Sequence, residues 1–156
     1  MVFIKRFNHY SAKINTRNIH FQISLSRPRY LAVSVGNAVS QVQGQAVCAE
    51  VGEGLATVLT DADYVALNAT VHQSGAPYGH CNANRVLMGA ESSGSYNWKW
   101  RTGDALSISW AYWKSGQPND PGAICMRAAI AVGAPVVFVD NTCGTDGGYN
   151  CILCDA

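Results

Sequence analysis

Six cysteines are the residues of this sequence with the clearest chemical potential. Their number is even, and all fall in the last two thirds of a chain of 156 residues: Cys48, Cys81, Cys125, Cys143, Cys151 and Cys154. Such a set is typical of disulfide bonds made in an oxidising compartment. We therefore expect structural disulfides in a secreted, extracellular protein. The sequon Asn68-Ala69-Thr70 agrees with secretion and makes Asn68 a candidate for N-glycosylation.

Metal binding and redox chemistry are the other uses of cysteine, and the spacing favours neither. Cys151 and Cys154 form one half of a zinc knuckle, but the sequence has no second such pair and its four histidines are scattered. The same pair lacks the following strand and helix that a redox Cys-x-x-Cys motif needs. Structural disulfides remain the better interpretation.

Acid–base and nucleophilic catalysis also find little support in the sequence. Asp61 and Asp63 are closely spaced carboxylates, but they fall in the first turn of a predicted helix, where capping explains them. The sequence has no Gly-x-Ser-x-Gly elbow, and its glycine-rich stretch 144–148 has neither a lysine nor a following helix to bind phosphate. We therefore do not expect an enzyme.

Charge divides the chain into two parts. Residues 1–29 hold six basic residues and no acid, whereas residues 30–156 hold five basic residues against all ten acids. The basic head is either a solvated tail or a segment that docks on an acidic surface, such as the body of a neighbouring copy. Nucleic-acid binding is not expected, because the head has no recognised motif and the body is acidic.

Composition predicts a folded domain without a membrane span. Hydrophobic types make up 48% of the residues and charged types 13%, which favours a filled core over disorder. The longest apolar run, 128–139, is broken by Gly133 and Pro135 and is too short to cross a bilayer. Lys5 and Arg6 stand where a secretory leader needs its apolar stretch, so we do not expect the opening residues to form such a leader.

Hydrophobic periodicity predicts two helices. The first covers about 37–51, with Asn37 as its cap, and the second runs from Thr60 or Asp61 to about residue 72. Strands are predicted from alternation, or from short apolar runs between turn residues, at 21–25, 30–34, 85–89, 96–100, 123–130, 135–140 and 149–154. Two helices followed by a half of strands and long loops indicate an α+β domain.

The stretch from Arg101 to Gly122 lacks regular periodicity and contains Trp110, Tyr112, Trp113 and Pro118. Loops of this length are usually functional or disordered, and the aromatic content of this one favours order through packing. An ordered long loop beside a small sheet forms a recognition surface.

Several motifs follow one another along residues 30–156. Three lie upstream: Cys48-Ala-Glu-Val-Gly52-Glu-Gly54-Leu55-Ala56, Val86-Leu-Met-Gly89 and Trp98-Lys-Trp100-Arg-Thr-Gly103. The others lie downstream: Trp113-Lys-Ser-Gly116-Gln117-Pro118-Asn119, Cys125, Phe138-Val139-Asp140-x-x-Cys143 and Leu153-Cys154-Asp155. Together they resemble the C-type lectin-like domain in order and spacing. The resemblance does not cover residues 1–29, which we interpret as a basic N-terminal extension.

The resemblance implies an α+β fold in which two helices pack on small antiparallel sheets beside a long ordered loop region. It also implies that disulfides Cys48–Cys154 and Cys125–Cys143 stabilise the domain. Cys81 and Cys151 are then left over, and a third bridge between them is reasonable. The alternative is that either of them pairs with another chain.

Many members of the family bind sugar through a calcium ion, and the resemblance places its ligands in this sequence. The triplet Gln117-Pro118-Asn119 matches the family's pattern, Asp120 follows it, and Pro118 is expected in the cis form. Two ligand positions depart from the pattern, because Ala123 and Val139 stand where the family has a glutamate and an asparagine. Calcium needs about 6–8 oxygen ligands. We therefore expect no cofactor, and a calcium site that is absent or very weak.

The resemblance places ligand binding on the long-loop face, where the candidate contacts are Gln117, Pro118, Asn119, Asp120, Asp140 and Trp110. Among the four tryptophans we expect Trp110 to be the exposed platform on which a sugar stacks. The alternative interpretation is structural. In that case the triplet only shapes the loop, and Asp140 only caps a turn before Asn141.

Two functions follow from these patterns. The first is a non-catalytic extracellular recognition module that binds a glycan or glycoprotein through the long-loop face, without calcium. The second is a structural, self-assembling subunit, a homo-oligomer in which the basic residues 1–29 dock on a neighbouring copy.

Overall fold

The computed structural model describes residues 10–12, 23–25, 29–73, 86–131, 133–143 and 149–156. Two helices lie in these ranges, α1 (Gln41–Val51) and α2 (Asp61–Gln73). The strands are β1 (Tyr10–Ala12), β2 (Ile23–Leu25), β3 (Tyr30–Val39), β4 (Gly54–Leu55), β5 (Val86–Ser92), β6 (Trp98–Trp100), β7 (Ala105–Leu106), β8 (Cys125–Ala129), β9 (Val137–Asn141) and β10 (Tyr149–Asp155). No helix of the described ranges is long and apolar enough to cross a membrane.

Eight strands form one connected sheet. Its main path runs β3-β10-β5-β6-β7, with β4 paired to β10, β8 to β5 and β9 to β8. Most pairs are antiparallel, but β10 and β5 are parallel, with Cys151 opposite Val86 and Ile152 opposite Leu87. The fold is thus α+β, as the sequence predicts, and the sheet is a single mixed one.

The N-terminal extension contributes β1 and β2, which pair antiparallel with each other in a separate two-stranded sheet. The main sheet starts at Tyr30, the first residue of β3. Among the described residues, neither β1 nor β2 pairs with the main sheet. The division into an extension, 1–29, and a domain, 30–156, remains a prediction.

The first helix begins later than the sequence predicts. Its N-cap is Ser40, whose hydroxyl accepts the backbone N–H of Gln43, while the Gln43 side chain accepts the backbone N–H of Ser40. The prediction that Asn37 caps the helix is wrong, because β3 continues through Val39, which pairs with Tyr149 of β10. Strand pairing with a distant segment outweighs the local helical pattern here.

The second helix begins where the sequence predicts. Asp63 accepts the backbone N–H groups of Leu59 and Thr60 at 3.1 and 3.0 Å, and the Thr60 hydroxyl accepts the N–H of Asp63 at 3.2 Å. This reciprocal arrangement satisfies N–H groups that the helix leaves free. Asp63 is therefore a capping residue, as the sequence analysis assumes.

The core lies on both faces of the sheet, and β10 shows how the two halves divide. Cys151 and Leu153 belong to the larger cluster, which α2 and the tryptophans cover. Ile152 and Cys154 belong to the smaller cluster on the α1 side. Alternate residues of a strand point to opposite faces, so this all-apolar run is buried on both.

The disulfides Cys48–Cys154 and Cys125–Cys143 are both present, as the resemblance implies. The first joins α1 to β10 across 106 residues, and the second joins β8 to the segment just after β9. Cys151 is also disulfide-bonded. Cys81 lies outside the described residues, so its pairing with Cys151 remains a prediction.

Candidate functional site

The long loop, residues 101–122, runs along strand β9. The backbone N–H of Lys114 donates to the carbonyl of Phe138 at 2.9 Å, and the N–H of Phe138 donates to the carbonyl of Tyr112 at 3.0 Å. Trp113 and Phe138 form a parallel β-bridge between these bonds. Backbone pairing with a core strand therefore fixes the middle of the loop, and the loop is ordered as the sequence analysis expects.

Asp140 holds the tip of the loop in place. This residue of β9 is buried, and its Oδ2 atom accepts the backbone N–H groups of Asn119 at 3.0 Å and Asp120 at 2.7 Å. The Gln117–Pro118 peptide bond is cis, as the resemblance implies. Hydrogen bonds to a carboxylate are stronger than those between neutral groups. The Asp140 carboxylate thus fixes the backbone of the triplet and of the residue after it.

A second turn follows directly. The Oδ1 atom of Asp120 accepts the backbone N–H of Gly122 at 2.8 Å, and the N–H of Ala123 donates to the carbonyl of Asp120 at 3.1 Å. Asn119 and Asp120 are exposed, whereas Gln117 and Pro118 are half-buried. The loop therefore presents Asn119 and Asp120 to solvent on a backbone that is hydrogen-bonded on both sides.

The donor set of this loop does not fit a calcium ion. Ala123 and Val139, at the two departing positions, are 3% and 6% exposed and offer no side-chain oxygen. Asp140 directs one oxygen to two backbone N–H groups. The described ranges contain no group of three or more His, Cys, Asp or Glu side chains arranged to bind a metal. Calcium needs about 6–8 oxygens, and this loop brings together too few.

One polar atom at the loop has no protein partner. The Oε1 atom of Gln117 is buried and accepts no hydrogen bond from the described residues. A buried carbonyl without a hydrogen-bond partner costs about 1–3 kcal/mol.

The tryptophans form a packed cluster under the loop. Trp98, Trp100 and Trp113 are buried. Trp110 is half-buried and stacks on Phe138, with ring centroids 5.0 Å apart. It is not the freely exposed platform that the sequence analysis expects, because its ring packs edge to face with both Trp100 and Trp113. Only part of the Trp110 surface is open to a ligand.

An ion pair that the sequence analysis does not anticipate fixes the start of the loop. Arg101 donates to the Oδ2 atom of Asp155 at 2.6 Å and to the carbonyl of Leu55 at 2.5 Å. The Thr57 hydroxyl donates to the same Asp155 oxygen at 2.9 Å. Asp155 is buried, so Arg101 and Thr57 offset its desolvation. The signal in the sequence was that both residues belong to motifs: Arg101 follows Trp100 in one, and Asp155 follows Cys154 in the other.

Two stacked tyrosines join α2 to the long loop. The rings of Tyr64 and Tyr112 are 3.7 Å apart and nearly parallel, and the Tyr112 hydroxyl donates to Oδ1 of Asp61 at 2.6 Å. This bond to a carboxylate raises the pKa of Tyr112 to about 12, because the phenolate would lose the bond and face a like charge. Asp61 thus has a partner across the fold, beyond the capping role expected of it.

The predicted glycosylation site does not lie on a surface loop. Asn68 is in the middle of α2 and half-buried, and its Oδ1 atom accepts the backbone N–H of Val136 at 3.0 Å. The Thr70 hydroxyl donates back to the carbonyl of Ala66 at 2.9 Å within the helix. An acceptor asparagine is expected on a surface loop, and glycosylation of Asn68 remains a prediction.

Known structures share this architecture at low sequence identity. Human lithostathine matches with a TM-score of 0.61 and 18% identity, over 83% of this chain and 92% of that one. The C-type lectin domain of murine dendritic cell inhibitory receptor 2, solved in complex with N-glycan, matches with a TM-score of 0.57 and 13% identity, over 82% and 92%. A calcium-independent type II antifreeze protein matches with a TM-score of 0.56 and 18% identity, over 83% and 87%.

No protein-family model and no curated protein sequence matches the chain. At identities below one fifth, the structural matches establish the fold. They agree with the sequence motifs, the two helices, the mixed sheet and both described disulfides. The protein is therefore a C-type lectin-like domain in fold.

Proposed function

We propose that this domain is a non-catalytic, extracellular recognition module that binds a glycan, free or on a glycoprotein, through its long-loop face without calcium. The observation that carries the proposal is the pair of hydrogen bonds by which Asp140 fixes the backbone of Asn119 and Asp120. These two hydrogen bonds fix the backbone that carries two exposed polar side chains at the tip of an ordered loop. Side chains positioned in advance lose less conformational entropy when they bind a ligand.

The polar groups at the tip suit sugar hydroxyls. Asn119 offers an amide that both donates and accepts, and Asp120 offers a carboxylate oxygen besides the one bonded to Gly122. One structural neighbour was solved with an N-glycan, which supports a glycan as the class of ligand.

Two features of this chain support calcium independence: the hydrogen bonds that Asp140 accepts, and the apolar side chains at the two flanking positions. Asp140 gives an oxygen to backbone N–H groups, and the flanking positions carry the buried side chains of Ala123 and Val139. Direct hydrogen bonds from the loop would then replace metal coordination. That another protein of this fold is described as calcium-independent supports the proposal.

A glycan array probed with the full chain tests the proposal, with one half of each slide in calcium and the other in EDTA. We expect binding to a restricted set of glycans, with the same signal in both buffers. Absence of binding to any glycan would contradict the recognition function. Binding that EDTA removes and calcium restores would contradict the calcium-independent mode.

The second candidate function is a self-assembling subunit. The observation that favours it is the uneven distribution of charge along the sequence. An extension with six basic residues and no acid is complementary to a domain with five basic residues and ten acids. Light scattering over a range of protein and salt concentrations tests it, and a monomer under all conditions would exclude it.

A further inference from the structure

A strip of apolar and acidic side chains runs from the start of α2 to the long loop. Three of its members stand at or just before the start of α2, and three stand in the long loop: Leu59, Asp61, Asp63, Ile108, Trp110 and Tyr112. The ring centroids of Trp110 and Tyr112 are 5.0 Å apart, and the Tyr112 hydroxyl lies 2.6 Å from Asp61. These contacts connect the loop part of the strip to its helix part.

The two ends of the strip expose large apolar side chains. Ile108, two residues before Trp110, is 56% exposed, and Leu59, two residues before Asp61, is 48% exposed. Aromatic and aliphatic side chains collected at the surface, with polar groups beside them, mark sites where another segment binds. The strip has this composition.

The charge of the strip is negative. Asp61 is exposed and has no basic partner among the described residues. Asp63 is paired with Arg29, whose own side chain remains about half exposed. The strip therefore suits a segment that carries both cations and apolar side chains.

The extension of this chain has that chemistry. Residues 1–28 contain five basic residues, no acid, and apolar side chains such as Phe3, Ile4 and Phe7. The next residue, Arg29, already lies on the strip through Asp63. The extension is thus tethered at the strip, and a short tether gives an effective concentration in the millimolar range. A contact within the chain is favoured over exchange between copies for this reason.

We propose that the strip is the docking surface for the basic extension, residues 1–28, of the same chain. Apolar residues of the extension cover Leu59 and Ile108, and its cations lie near Asp61. The contact goes beyond glycan recognition, since Asn119 and Asp120 at the loop tip take no part in it, although it shares Trp110 with the long-loop face.

Limited digestion of the full chain with chymotrypsin, with the disulfides intact, tests the docking, because Phe3, Phe7 and Phe21 supply cleavage sites in the extension. We expect Leu59→Ser and Asp61→Lys each to accelerate cleavage of the extension at least fivefold. Val42→Ser is the matched control, since Val42 is an exposed apolar residue of α1 outside the strip, and it should leave the rate unchanged.

A charge exchange separates docking from any loss of folding. Lys13→Glu with Arg17→Glu should accelerate cleavage in the same way, and adding Asp61→Lys to that pair should slow it again. Salt should accelerate cleavage of the wild type, because it screens exposed charges. Equal rates in the wild type and the strip variants, or no recovery in the combined variant, would overturn the proposal. Protection that increases with protein concentration would also overturn it, because the docked extension would then come from another copy.

Discussion

The Oδ2 atom of Asp140 accepts the backbone N–H of Asp120 at 2.7 Å, across a sequence separation of 20 residues. This bond joins a buried strand of the core to the exposed tip of the long loop. The Asp140 side chain thus shapes the loop directly. The backbone at the loop tip is therefore hydrogen-bonded to a protein carboxylate.

Replacement of Asp140 should therefore destabilise the protein. Each hydrogen bond to a charged group contributes about 1.5–3 kcal/mol, so we expect Asp140→Ala to lower the free energy of unfolding by about 3 kcal/mol. Asp140→Asn keeps an acceptor oxygen and should cost about 1 kcal/mol. Urea unfolding measures both. Asp104→Ala is the control, because Asp104 is exposed and bonds to the Thr102 hydroxyl nearby. A loss as large as that of Asp140→Ala would contradict a special role of Asp140 in stability.

Calcium should have little effect on stability. A ligand stabilises a protein only by occupying a site in the native state, and the buried Ala123 and Val139 leave this loop short of oxygen ligands. We expect millimolar calcium to change the melting temperature by less than about 1 °C, as followed by circular dichroism. An increase of several degrees that EDTA reverses would show that a calcium site exists.

Tyr112 should titrate at high pH because of Asp61. Its pKa is raised from 10.0 to about 12 by the bond to that carboxylate. The folded-state pKa lies above the unfolded one, so the bond stabilises the fold fully below pH 10, and this contribution is lost as the pH rises toward about 12. Absorbance titration of tyrosinate, as the difference between wild type and Tyr112→Phe, isolates this group. The pKa of Tyr30 is also raised to about 12, mainly by burial, which makes the subtraction necessary.

Asp61→Asn provides the matched test of the cause. Without the carboxylate, the pKa of Tyr112 should fall back toward 10.0, its ordinary value. An unchanged titration of Tyr112 in this variant would mean that Asp61 does not raise the pKa.

Arg101 should contribute to stability through Asp155. Removal of one partner from a buried ion pair costs about 3–5 kcal/mol, and because Arg101 is partly exposed we expect about 2–3 kcal/mol for Arg101→Met. Lys99→Met is the control, since Lys99 is exposed on the neighbouring strand β6. Urea unfolding of the two variants gives the comparison, and equal free energies would contradict a structural role for the pair.

The sequence predicts features that depend on residue type and local spacing. The disulfides Cys48–Cys154 and Cys125–Cys143 were implied by the resemblance to the C-type lectin-like domain, whose motifs this sequence follows in order and spacing. The start of α2 is encoded by Thr60 and Asp63, three residues apart. In these cases the local signal and the tertiary structure agree.

Features set by distant partners were missed. Arg101 and Asp155 are 54 residues apart, and no local pattern reports that the chain brings them together. Asn37 has the residue type of a helix cap, yet β10 keeps that segment extended. Trp110 was expected to be an exposed platform, but its ring stacks on that of Phe138. Tertiary pairing decides each of these positions.

The most direct test of glycan recognition by the long-loop tip is calorimetric titration, in EDTA, of the best array ligand into the wild type and two loop variants. Asn119→Ala removes an exposed amide at the tip, and Ser115→Ala removes an exposed hydroxyl four residues earlier. We expect Asn119→Ala to weaken binding about tenfold, equivalent to about 1.4 kcal/mol, and Ser115→Ala to leave the affinity unchanged. Wild-type affinity in Asn119→Ala, or binding that appears only when calcium is added, would contradict recognition by this loop without a metal ion.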